Sequence, residues 1–150
     1  MADAPAKKPR KSTAAFSDIE LEAMQAAKSE AKAQKKGAKY DGEAELLAKV
    51  AEMDDTDRPI ATRLHAIVKA NAPSLSAKTW YGMPAWANAE GKVVCFFQSG
   101  AKFKTRYSTF GFQDPARLDA GGMWPTGFAL TRLGPTEEAQ IIALLKKALG

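Results

Sequence analysis

The sequence predicts an α+β fold: a two-layer sandwich in which one antiparallel sheet carries N- and C-terminal helices packed on one face. Three observations lead there. Helical periodicity runs through the first half to about Asn71, short β-rich runs separated by turn residues follow from Ser76, and helical periodicity returns after Thr136. At 150 residues, with 45% hydrophobic and 26% charged residues, the chain has the composition of one folded domain.

Residues 1–15 combine Ala, Pro and Lys with no apolar period, and are read as a disordered basic tail. Residues 16–40 form a helical extension. Ser17 with Glu20 makes a capping box, Phe16 before it can staple onto Leu21, and the helix is expected to run to about Lys36 and stop at Gly37. Its apolar side is thin, consisting of Ile19, Ala23, Ala26, Ala27 and Ala31, so it docks lightly or projects. Lys28, Lys32, Lys35 and Lys39 make a basic stripe.

Residues 41–150 form the α+β domain. A second helix from Asp41 places Leu46, Leu47, Val50 and Met53 on one face. The cluster Asp54–Asp57 caps a third helix, with Pro59 in its first turn and Ile60, Leu64, Ile67 and Val68 as its buried stripe. Strands are expected around Trp80, at 85–87, 93–97, 103–112 and 128–133, and short connections between them imply antiparallel pairing. Thr136 then caps a last helix with Ile141, Ile142, Leu145 and Leu149 facing the core.

No apolar run reaches the roughly 20 residues that span a bilayer, no secretory leader is visible, and Cys95 is the only cysteine, so a reducing, cytoplasmic setting without membrane contact is expected. Residues 1–41 hold nine Lys/Arg against six Asp/Glu, whereas the remainder holds 13 against 11. A basic arm of residues 1–39 would attract nucleic acid through its phosphates, without base specificity; a solubilising tail is the plainer use of the same charge.

The stretch Thr79-Trp80-Tyr81-Gly82-Met83-Pro84-Ala85-Trp86, followed by Gly91 to Phe97 and Lys102-Phe103-Lys104, resembles the YdhG-like family of small bacterial domains of unknown function. The resemblance covers about residues 55–149. It implies a frataxin-like two-layer sandwich, and the iron-chaperone role assigned to one member implies iron as a cargo passed to iron-receiving proteins. No family metal ligand maps onto a particular position here.

The residues themselves offer two ligand sets. Seven carboxylates against one Lys lie between Asp41 and Asp57, and hard cations, ferrous iron included, take oxygen ligands, so Glu43, Glu45, Glu52, Asp54, Asp55 and Asp57 are the metal candidates. The same residues are also ordinary caps and an ordinary wet helix face. Trp80, Tyr81, Met83, Pro84 and Trp86, with Lys104 and Arg106 on one face of a long strand, are the candidates for a small anionic ligand, against packing and solvated surface as their commoner uses. Trp124 adds to the aromatic density near turns. One His and one Cys in unrelated elements exclude a zinc-type site; His65 is read as a dispensable flank of the third helix's stripe and Cys95 as an inert strand residue. With no nucleophile–base set and no phosphate-cradling loop, a binding protein rather than an enzyme is expected.

Overall fold

A computed structural model describes residues 17–34 and 41–150. The basic tail, the Phe16 staple and the expected helix stop with Lys35 and Lys39 lie outside the described residues.

The helices arise where the periodicity places them: α1 (Asp18–Gln34), α2 (Gly42–Ala51), α3 (Asp57–Asn71) and α4 (Pro135–Leu149). The Ser17 hydroxyl accepts the Glu20 N–H at 3.3 Å, and Asp41 caps α2 by accepting the Ala44 N–H at 3.0 Å. At α3 the acceptor is Asp54, 2.8 Å from the Asp57 N–H, and the N-cap position itself is Thr56. Thr136 does not cap α4. Gly134 holds the cap position and Pro135 opens the helix, where its missing N–H would have had no partner.

The sheet is a five-stranded antiparallel meander, β1 (Ser76–Trp80), β2 (Met83–Ala87), β3 (Val93–Gln98), β4 (Ser108–Phe112) and β5 (Gly127–Leu130), in sequence order. The connections β1–β2, β2–β3 and β3–β4 are shorter than a parallel crossover requires, so antiparallel pairing follows there, and β5 pairs antiparallel with β4 after the longer stretch 113–126. Two strand expectations fail. The run 103–112 contributes only Ser108–Phe112, because residues 101–107 turn back after β3, and the last strand ends at Leu130 instead of Leu133.

Register sorts the sheet into two faces. Trp86↔Cys95↔Phe112 and Phe97↔Phe110↔Phe128 stand in rows on the helix side, whereas Ala85↔Phe96↔Gly111↔Gly127 stand on the other. Phe97, Phe110 and Trp86 are fully buried with Leu46, Leu64, Val68 and Leu145 from the helices, and each such side chain contributes about 1.5–3 kcal/mol of transfer free energy. Arg63 of α3 donates to Glu138 of α4 at 2.8 Å, pairing the two helices at the surface. Leu47 and Leu149, expected in the core, are 43% and 39% exposed, since each lies at the margin of its helix's apolar stripe. Among the described residues no helix is long and apolar enough to cross a membrane.

Candidate functional site

The sequence Trp80-Tyr81-Gly82-Met83 forms a tight hairpin, closed by the pair Trp80↔Met83. Both turn residues take positive φ, 52° at Tyr81 and 77° at Gly82, which is the mirror-type turn that follows the twist of two antiparallel strands. Glycine adopts this conformation freely; Tyr81 does so at a steric cost. The cost has a counterpart in geometry. The Tyr81 N–H donates to Oε2 of Glu30 at 3.0 Å and the Gly82 N–H donates to Oε1 of the same carboxylate at 2.9 Å. Successive backbone N–H groups that converge in this way form an anion-binding concavity, here holding one carboxylate with both oxygens.

Glu30 comes from α1, and its side chain is buried against the turn. Ala26, one helical turn earlier, lies 3.5 Å from where a Cβ on Gly82 would stand, so the glycine also lets the helix approach. The Lys102 ammonium nitrogen lies 3.3 Å from that same point. A cavity of about 390 Å³ opens next to the turn, between Glu22 of α1, Lys49 and Glu52 of α2, and Ala101 and Lys102 of the β3–β4 loop. Trp80 stacks edge-on to Tyr81 at 5.2 Å and tilts against Phe96 at 5.4 Å, which holds the turn from its other side.

Of the anionic-ligand candidates, the structure brings Trp80, Tyr81 and Met83 to this turn and takes Pro84 and Trp86 into the core. Lys104 and Arg106 do not share a strand face. They sit in the β3–β4 loop, where Lys104 has a φ of 55° and the Arg106 guanidinium lies 5.4 Å above the Tyr107 ring. Arg106 lines a separate cavity of about 220 Å³ with Asp54, Asp57 and Tyr107.

The six metal candidates are scattered among different partners. Glu43 accepts from Lys69 at 2.8 Å and lies 3.1 Å from His65 Nε2. Those two hydrogen bonds, Lys69 first, hold its carboxyl below the ordinary carboxylate value. Glu45 accepts the Thr79 hydroxyl, Glu52 pairs with Lys49, and Asp55 pairs with Arg58. Asp54 is a cap. Asp57 is buried and accepts from the Ser99 and Ser108 hydroxyls and the Ala101 N–H, tying the β3–β4 loop to the start of α3. Among the described residues no group of three or more His, Cys, Asp or Glu is placed to hold a metal ion, so the carboxylates are not assembled into an iron site.

His65 is a core residue rather than a flank, with Trp86 Nε1–H donating to its Nδ1 at 3.2 Å. Cys95 is buried as expected, and burial pushes its thiol pKa up, which keeps it protonated and unreactive.

Glu30 and its contact with the turn were missed by sequence reasoning. The available signal was a carboxylate on the face of α1 otherwise made of Ala23, Ala26 and Ala27, where a solvated residue is out of place. Comparison with protein-family models, with curated proteins and with solved structures gave no match.

Proposed function

We propose that this chain is a binding domain of the YdhG-like kind, without catalytic activity, that captures a carboxylate at the Tyr81–Gly82 turn, the ligand being an acidic side chain of a partner protein. The observation that carries the reading is the Glu30 carboxylate held by the two turn N–H groups. The turn holds an acidic group of the chain's own α1, and α1 therefore acts as a built-in competitor. Its hold is weak in area, since Leu21 and Met24 remain 47% and 41% exposed and its packed face is mostly Ala. A partner helix bearing a carboxylate and a larger apolar face would displace it. Iron delivery rests on the family resemblance alone, because each carboxylate proposed as a ligand is engaged elsewhere.

The test is chemical rescue in the full chain. Glu30→Ala leaves two turn N–H groups without an acceptor, and free acetate should then bind in the millimolar range, moving the Tyr81 and Gly82 amide resonances saturably. In the native chain acetate should leave them unmoved. An absence of saturable shifts in Glu30→Ala would show that the turn is not a carboxylate site.

A further inference from the structure

The two edges of the sheet are treated differently. β1 is overlaid by α1 and α2, but β5 has no strand beyond it, and its sequence Gly-Phe-Ala-Leu contains neither a charge nor a proline to discourage pairing. The hydrogen bond from the Phe112 N–H to the Thr126 carbonyl fixes the pattern of the β4–β5 ladder. Ladder bonds alternate along an antiparallel pair, so Phe128 and Leu130 turn their backbone groups toward β4, and Gly127 and Ala129 turn theirs to the outer edge. Beside that edge, between β5 and α4, runs an apolar groove of about 640 Å³ walled by Phe110, Phe128, Ile141 and Leu144.

From these features we infer that β5 and α4 form the interface of a symmetric homodimer, in which β5 pairs antiparallel with β5 of a second copy. A twofold axis at Phe128 matches Gly127 of one copy with Ala129 of the other, uses the outward N–H and C=O groups of both, and sets the two Phe128 side chains opposite each other between the helices. Charge selects a second copy as the occupant. The four residues 131–134 return the chain at once, so α4 runs back along β5 with Glu137 near the strand's end and Lys147 near its beginning, both on the groove. Antiparallel strands then bring Lys147 of one copy to Glu137 of the other, twice. A hydrogen bond from its own backbone N–H, and then Arg132 2.9 Å away, hold the Glu137 carboxyl below the ordinary carboxylate value, and Lys147 has no ion-pair partner among the described residues.

Sedimentation equilibrium of the full chain, up to about 1 mM, should show a species of twice the 16.1 kDa chain mass. Ala129→Pro deletes an outward N–H while leaving the β4 ladder intact, and Lys147→Glu opposes like charges at an exposed site; each should weaken association at least about tenfold. Combining Lys147→Glu with Glu137→Lys should restore it. Far-UV circular dichroism verifies that each variant is folded, and Lys147→Glu keeps the test decisive should Ala129→Pro unfold. A native chain that stays monomeric throughout, or a dimer indifferent to Lys147→Glu, overturns the proposal.

Discussion

The indole N–H of Trp86 donates to Nδ1 of His65 at 3.2 Å inside the core, and this contact fixes what the imidazole does. An indole N–H only donates, so Nδ1 carries no proton and the ring hydrogen sits on Nε2, facing the Glu43 carboxylate 3.1 Å away. The rings are nearly parallel, 20° apart, with centroids separated by 6.2 Å. One chain of contacts thus links β2, α3 and α2, and a residue expected to be dispensable joins three elements.

Replacing His65 with Ala strands the buried Trp86 N–H and leaves a void, so stability should fall by about 2–4 kcal/mol. His65→Gln, which can still offer an acceptor, should cost about half as much. Urea unfolding followed by tryptophan fluorescence measures both. Midpoints equal to that of the native chain would show that the contact contributes nothing.

Three aspartates that read alike in sequence should respond to substitution in three ways. Asp57→Ala leaves the buried Ser99 and Ser108 hydroxyls and the Ala101 N–H without their acceptor, a loss of about 3 kcal/mol. Asp54→Ala removes one cap-type acceptor, about 1 kcal/mol. Asp55→Ala breaks only an exposed pair with Arg58, at most about 0.5 kcal/mol. Thermal unfolding of the three variants should rank them in that order, and an Asp55 effect as large as that of Asp57 would reject the assignment.

Those aspartates also mark where the sequence stopped being informative. Helices, sheet and their order follow from period and composition, which are local, and the buried stripe Ile60, Leu64, Ile67 and Val68 is where the period puts it. The site depends on contacts between distant residues. Glu30 and Gly82 are 52 positions apart, Asp57 and Ser108 51, and no local pattern announces either pairing. Alternation extended through Lys104 and Arg106 suggested a strand because it is a pattern of side chains, whereas the Ala101 N–H bound to Asp57 and the positive φ at Lys104 commit the backbone to a loop. The Tyr-Gly turn itself was legible; its capture of a carboxylate was not.

The last prediction concerns Gly111, which the sequence does not distinguish from other strand glycines. On the face of the sheet away from the helices its neighbour across the ladder is Phe96, whose ring lies over it, and a Cβ built on Gly111 would stand 2.4 Å and 2.6 Å from two ring carbons. No real contact is that short, so Gly111→Ala must push the ring aside and disturb its packing on Trp80, 5.4 Å away. Overpacking of this kind should destabilise by about 2–3 kcal/mol. Gly91→Ala, with nothing within 4 Å but a φ of 80°, should cost only the conformational strain, about 1 kcal/mol. A double-mutant cycle separates the causes: in a Phe96→Ala background the ring is gone, and adding Gly111→Ala should become almost free, a coupling of about 2 kcal/mol. Additive costs at the two positions, measured by equilibrium denaturation, would place the penalty in the backbone of β4 and not in the aromatic ring above it.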